Sequence, residues 1–312
     1  ALSEIEKLQL VLVGKKEVIE AELSKYKYSK ERVEIVDTRE VIEMTDDPVT
    51  AVKTKKDSSM NKTLELAKGV VDASVSAGNT GALITASQLK LKRIRGVLRP
   101  AIATMFPNKK GHMLMLDVGA TADCKPEFLN QYAMMGSKYV EILLGRKEPK
   151  VGLLNIGTEE GKGNEITREA YELLKDNKAI NFVGNVESTE VMNGEIDVVV
   201  TDGFTGNMVL KTAEGIAKFV LSIIKTEIKK SIIYMLGALL LRPALKMIKL
   251  KMDSSEYGGA IFLGLNGLSI KAHGNSDSNG IKNAIKVANR FAELNFVEEL
   301  KKVIDIDKEE SN

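Results

Sequence analysis

The sequence predicts an α/β protein, a three-layer α/β/α arrangement around a mainly parallel sheet. Three observations predict it. Short apolar runs recur along the chain, each is followed by a loop rich in Gly, Asn and Asp, and each loop opens into an amphipathic stretch. Strands that alternate with helices form parallel crossovers and place helices over both faces of the sheet. Runs such as Asp197-Val198-Val199-Val200 are apolar throughout rather than alternating, as strands buried on both faces are.

Taken in order, Leu8 to Val13 reads as a strand ending at Gly14, followed by a helix, and Val33 to Val36 as a second short strand. Residues 39–62 are polar and Lys-rich, with Pro48 and the tract Lys-Lys-Asp-Ser-Ser-Met at 55–60, and read as a surface loop with partial helix. Five clearer strand–loop–helix units follow. Ala73 to Ser76 leads through Ala-Gly-Asn-Thr-Gly into a helix from Ala82. Met113 to Asp117 leads through a Gly-Ala-Thr-Ala-Asp-Cys-Lys loop into a helix opened by Pro126, a residue suited to a first turn. Val151 to Ile156 precedes Gly157 to Asn164 and a helix through Leu174. Ile196 to Thr201 precedes Asp-Gly-Phe-Thr-Gly-Asn and a helix from Met208, and Leu268 to Ala272 precedes His-Gly-Asn-Ser-Asp-Ser-Asn and a helix to about Leu294.

With no low-complexity linker and no short-period repeat, residues 1–312 read as a single α/β catalytic unit, open to division into two lobes around a cleft. The chain of 312 residues is 44% hydrophobic, ample for a core, and at this size folding buries about three-quarters of the unfolded surface. Lys and Arg number 45 against 43 Asp and Glu, a formal charge of only +2, which argues against a dedicated nucleic-acid binder.

Cys124 is the only cysteine and His112 and His273 the only histidines. An internal disulfide and a Cys-rich zinc site are excluded, a His-based metal site is poor, and a reducing cytoplasmic compartment fits. No metal or cofactor is expected. The opening Ala-Leu-Ser-Glu-Ile-Glu-Lys is amphipathic and helix-like rather than a signal peptide. The uncharged run from Ser231 to Leu241 is far short of the ~20 residues of a spanning helix.

The loops after strands of a parallel sheet lie along one rim, where ligands bind. Helix N-termini there present free N–H groups, and glycines let an anion approach the backbone. Gly78, Asn79, Thr80 and Gly81, then Gly157, Gly163 and Asn164, then Gly203, Thr205 and Gly206 are the candidate phosphate or substrate contacts, joined by His273 and Gly274. Any one such loop is equally an ordinary turn. None matches the P-loop pattern, because Gly-Lys-Gly-Asn at 161–164 lacks the closing Ser or Thr. Lys162, between two glycines, is either a solvated lysine or a cation aimed at an anion. Asn207 is either an N-cap or an amide donor to an oxyanion. His273 is a structural loop histidine or a general acid, and Cys124 would need an activating base to form an acyl-enzyme.

Residues 225–252 form a second feature. Lys225, Lys229, Lys230, Arg242, Lys246, Lys249 and Lys251 surround the apolar run 232–241, and Pro243 should break any helix there. The segment reads either as a core or dimer-interface helix pair or as a helical tip that dips into lipid, with Lys229, Ile232, Ile233, Leu236 and Leu240 as membrane contacts.

Ser-Ala-Gly-Asn-Thr-Gly-Ala (76–82), Leu-Asp-Val-Gly-Ala (116–120), Asp-Cys-Lys-Pro-Glu (123–127), Asn-Ile-Gly-Thr-Glu-Glu-Gly-Lys-Gly-Asn (155–164), Thr-Asp-Gly-Phe-Thr-Gly-Asn (201–207), Tyr-Gly-Gly-Ala (257–260) and Lys-Ala-His-Gly (271–274) resemble the PlsX family, as does the 55–60 tract. The likeness runs nearly end to end. It implies an acyl-ACP:phosphate acyltransferase, which moves a fatty acyl group from acyl carrier protein to inorganic phosphate and supplies acyl phosphate for phospholipid synthesis. It further implies a homodimer, a fold similar to isocitrate and isopropylmalate dehydrogenases, peripheral attachment to the inner face of the cell membrane through the tip, and catalytic roles for Lys162 and Asn207. The family begins with a strand and a Met-Gly-Gly-Asp loop that this chain lacks, so about twenty residues are expected to precede it by that resemblance alone.

Two other readings compete. A metal- and NAD-dependent dehydrogenase of the related fold needs a dinucleotide turn and clustered carboxylates, and neither is evident. A non-catalytic membrane adaptor for acyl carrier protein explains the basic patch but not the Lys162 and Asn207 loops.

Overall fold

The computed structural model describes residues 1–252 and 258–310. Tyr257 of the Tyr-Gly-Gly-Ala quartet and the side chains of Lys249 and Lys251 lie outside the described residues. The chain divides into two compact units, one of residues 1–100, 138–147 and 257–312, the other of 101–137 and 148–256.

In the first unit, β1 (Leu10–Gly14) pairs parallel with β2 (Val33–Asp37), and β10 (Leu268–Lys271) pairs parallel with β3 (Ala73–Ser76) and antiparallel with β9 (Ala260–Leu263). Helices α1 (Lys16–Leu23), α2 (Pro48–Thr54), α3 (Ser59–Leu66), α4 (Thr80–Leu91), α10 (Ser278–Glu293) and α11 (Phe296–Glu310) belong to it. Its core joins Leu64, Leu83 and Ile270 to an aromatic cluster in which Phe291 stands 4.4 Å from Phe296 and 5.0 Å from Tyr139, ring centre to ring centre. Residues 39–62 are more ordered than their polarity suggests. Ser58 caps α3, and buried Asn61 donates through Nδ2 to the carbonyls of Val52 and Lys55, so the lysine-rich tract folds around two buried polar residues.

In the second unit the strand order is β4 (Ala101–Asn108), β5 (Gly111–Leu116), β8 (Val198–Val200), β6 (Lys150–Asn155), β7 (Asn181–Glu187). Only β4 runs antiparallel; the other pairings are parallel. Helices α5 (Pro126–Leu144), α6 (Glu165–Asp176), α7 (Gly203–Ile228), α8 (Ile232–Leu240) and α9 (Arg242–Met252) complete the set, residues 138–144 of α5 counting with the first unit. Met113 to Leu116, Val151, Leu153 and Val198 to Val200 are buried, the continuous apolar strands expected of a sheet covered on both faces. Gly136 on α5 has no room for a Cβ, which would stand 2.8 Å from Val198 and 2.9 Å from Leu116, so that helix rides directly on the sheet.

The mainly parallel sheet flanked by helices is the architecture expected, and all seven anticipated strands form within one or two residues of their expected ends. Three strands were not anticipated: β4, β7 and β9. β7 reads Asn-Phe-Val-Gly-Asn-Val-Glu, with the polar, alternating burial of an edge strand, and lacks the apolar run that marks the others. Arg242 opens α9 with Pro243 in its first turn, so the proline ends one helix and starts the next.

Candidate functional site

Strand β8 lies between β5 and β6, parallel to both, with Val200 level with Leu116 on one side and Leu153 on the other. Neighbouring strands are about 4.8 Å apart. The loops that follow these three strands therefore leave from one edge: Asp117 to Lys125, Ile156 to Asn164, and Thr201 to Asp202. This edge gathers Lys162, Gly157, Gly163 and Asn164 with Gly203, Thr205, Gly206 and Asn207.

Asp117 organises the first loop. Its side chain is fully buried, and its two carboxylate oxygens accept from the backbone N–H groups of Ile102 (2.9 Å), Gly119 (3.1 Å), Ala120 (3.0 and 3.1 Å) and Thr121 (2.7 Å). Burial pushes this carboxyl upward in pKa, and the converging N–H groups oppose that shift. A buried acid with its own ring of amide donors holds the loop in one shape. In the sequence Asp117 stands within Leu-Asp-Val-Gly-Ala with no role of its own. Its signal was a carboxylate at a strand end followed by Gly-Ala-Thr, the small residues that let N–H groups turn back onto it.

The α7 N-terminus packs onto this loop. Asp202 caps it, accepting from Thr205 N (2.8 Å) and Thr205 Oγ1 (2.7 Å). The helix thus begins at Gly203 rather than at Met208, and Asn207 is in its second turn rather than at the cap. That is a correction: the cap is Asp202, and the Asn207 side chain is released from capping. A Cβ on Gly119 would stand 3.7 to 3.8 Å from Asn207 side-chain atoms, which places that amide over the Asp117 loop.

Lys162 is in the loop before α6. Asn164 caps that helix by accepting from Thr167 N at 2.9 Å. Gly163 has φ +97, and a Cβ there would collide with Thr167 and Asn155, so only glycine fits. The Lys162 side chain is half exposed, with Nζ 4.0 Å from Glu159. Glu160 instead accepts from Tyr171 Oη (3.1 Å) and Lys175 (3.2 Å), which hold its carboxyl below the ordinary range.

Gly78, Asn79, Thr80, Gly81, His273 and Gly274 lie in the first unit, at the carboxyl ends of β3 and β10, where Lys271 pairs with Ser76. Ala272 N donates to Ser76 O at 2.9 Å, so these two loops run side by side. Asn79 caps α4 through Ala82 N (3.1 Å), and its Nδ2 donates to Met44 O (3.1 Å), so its amide holds the fold. His273 Nδ1 accepts from Asn275 N at 3.2 Å.

Cys124 is buried, and its thiol is pushed up to about 12 by burial and by the nearby Asp117 and Asp202 charges. It is a poor nucleophile. Among the described residues, no group of three His, Cys, Asp or Glu is placed to hold a metal ion.

The helices beyond this edge carry the apolar segment. No side chain of α8 is buried, and Ile232, Ile233, Leu236 and Leu240 are 72%, 76%, 60% and 84% exposed. They are not part of the chain's own core. Among the described residues, no helix is long and apolar enough to cross a membrane.

Parallel strands with glycine-rich helix starts at one edge, carrying a lysine and an amide near a buried cysteine, define an α/β protein with an edge suited to an anion. Comparison with known proteins agrees. The family described as fatty acid synthesis protein matches residues 1–299. The phosphate acyltransferase of Fusobacterium nucleatum is 63% identical over 309 residues, covering 98% of this chain and 93% of that protein. That of Clostridium kluyveri is 50% identical over 282 residues, 90% and 84% of the two chains. Among solved structures, a phosphotransacetylase from Streptococcus pyogenes superimposes with a TM-score of 0.60 at 16% identity, covering 97% of this chain and 88% of that one. A branched-chain phosphotransacylase from Enterococcus faecalis does so with a TM-score of 0.51 at 14% identity, covering 96% and 92%. The chain belongs to the fatty acid synthesis protein (PlsX) family of phosphate acyltransferases. That membership supports acyl transfer over the dehydrogenase reading.

Proposed function

We propose that the protein transfers a fatty acyl group from acyl carrier protein to inorganic phosphate, yielding acyl phosphate for phospholipid synthesis. The observation that carries this is the pairing of β6 with β8, which brings the Lys162 loop and the α7 start bearing Asn207 to the same sheet edge. Lys162 and the adjacent N–H groups hold phosphate, and Asn207 donates to the oxyanion that develops on the thioester carbonyl. A phosphate oxygen attacks the carbonyl carbon, the carbon–sulfur bond breaks, and the thiolate leaves to take a proton from solvent. Phosphate is already an anionic nucleophile, so positioning and charge stabilisation supply the catalysis. Gly157, Gly163, Asn164, Gly203, Thr205 and Gly206 shape the cradle; within the first unit, the loops bearing Gly78, Asn79, Thr80, Gly81, His273 and Gly274 are read as substrate contacts, Asn79 through its backbone.

A second part of the reading is a cytoplasmic homodimer attached peripherally to an anionic membrane surface, and the exposure of Ile232, Ile233, Leu236 and Leu240 beside Lys229 supports the attachment. Cations around an apolar helix suit anionic headgroups.

The test is mass spectrometry of the products formed from acyl-ACP and inorganic phosphate. An acyl phosphate whose appearance depends on both substrates is expected. Release of free fatty acid alone, or no turnover, would overturn the assignment.

A further inference from the structure

The lysine loop is anchored from a strand that the mechanism does not use. On β7, Asn185 is level with Leu153 of β6 and only 6% exposed. Its Nδ2 donates to Glu159 O at 2.8 Å, and its Oδ1 accepts from Asn155 Nδ2 at 3.0 Å. Asn155 Nδ2 also donates to Lys162 O at 3.1 Å, and Asn155 Oδ1 accepts from Ile156 N at 2.8 Å. Lys162 N itself donates to Glu159 O at 3.1 Å. Both backbone polar groups of Lys162 therefore end on this pair of asparagines, one through the Glu159 carbonyl and one directly.

A half-exposed lysine between two glycines has little to fix it locally. Its ammonium can be aimed only if its backbone is fixed, because the four-carbon stem multiplies any looseness at Cα. A buried amide does this well, since it offers a donor and an acceptor in one rigid plane. Leucine or valine at 185 would fill the space and hold nothing.

We infer that Asn185 is a positioning residue: through Glu159 and Asn155 it fixes the Lys162 backbone and so the point at which the ammonium meets phosphate. The inference rests on the reading of Lys162 as the phosphate-binding cation, and the test keeps the two apart.

The full-length protein is compared with Asn185→Ala and Asn185→Asp. The aspartate keeps the shape and the acceptor for Asn155 but turns an oxygen towards the Glu159 carbonyl, whereas the alanine removes the anchor without burying a charge, so the two variants load the fold differently. Steady-state rates with acyl-ACP and inorganic phosphate are expected to show the phosphate KM raised about tenfold, with the acyl-ACP KM unchanged. Amide hydrogen exchange across 157–164 is expected to quicken about tenfold while that of α6 stays the same. A merely structural role would lower the amount of active enzyme and leave both KM values alone. Wild-type phosphate KM, or wild-type exchange across 157–164, in either folded variant overturns the inference. Lys162→Ala with a wild-type phosphate KM would instead strike the reading of Lys162, a separate measurement with a separate outcome.

Discussion

The carbonyl oxygen of Asp117 occupies the place where a side chain at position 206 would begin. Gly203, one turn earlier on the same face of α7, is also too close for a side chain: its Cβ would be 2.6 Å from the Asp117 carboxylate. The helix start is therefore seated directly on the end of β5, and the height of Asn207 above that edge is set by two absent side chains.

Gly206→Ala should therefore force α7 away from β5. The expected cost is about 2 to 3 kcal/mol in urea unfolding, as for other overpacked contacts, with a loss of acyl phosphate formation in the fraction that remains folded. Wild-type turnover in a folded variant would show that the seating is unimportant.

Asp117→Asn replaces one acceptor oxygen with an NH₂ group facing backbone N–H donors. Lost and unsatisfied buried bonds should cost about 2 to 4 kcal/mol, read from the urea midpoint at neutral pH. A neutral substitution would mean that the carboxylate charge is not what gathers the loop.

Lys162→Ala and Asn207→Ala should fold normally, since one side chain is half exposed and the other leaves capping to Asp202. Each should reduce acyl phosphate formation by about a hundredfold or more, as loss of an oxyanion donor does. Near-normal rates in either variant would remove that residue from the chemistry.

Cys124 should stay protonated at neutral pH. Its thiol pKa is pushed up to about 12, so the thiolate fraction becomes substantial only as pH rises towards that value. Native protein at pH 8 should resist iodoacetamide until it is unfolded, and Cys124→Ala should keep its turnover. Rapid alkylation of the native protein, or an inactive alanine variant, would reopen the acyl-enzyme route.

Leu236→Glu with Leu240→Glu should abolish sedimentation with anionic vesicles and leave turnover of soluble acyl-ACP unchanged. Both side chains are exposed, so the folded core loses nothing. Undiminished vesicle binding would rule out the tip as the membrane contact.

Seven of the strands could be read from the chain because they are apolar runs closed by glycine-rich loops, and the Lys162 and Asn207 loops stood out for the same reason. β7 escaped notice because an edge strand with Asn181, Asn185 and Glu187 carries no such run. With β7 unseen, Asn185 had no neighbour to act on. The sequence leaves Asn207 open between a cap and an amide donor, because Asp202, five residues earlier, offers the same capping signal, and only the backbone shows that the helix uses Asp202.

Local chemistry by itself determined the α/β class, the positions of the glycine turns, the absence of an activated cysteine–histidine pair in sequence, and an apolar segment ringed by cations. Only the tertiary structure decided strand order. That order put the loops after β5, β8 and β6 on one edge, brought Ile102 N to the Asp117 carboxylate beside three N–H groups of its own loop, and carried Asn185 to the carbonyl of Glu159. The reason is physical: periodicity and turn chemistry act between neighbours in the chain, whereas hydrogen bonds between residues 26 or more apart exist only once the sheet has chosen its partners.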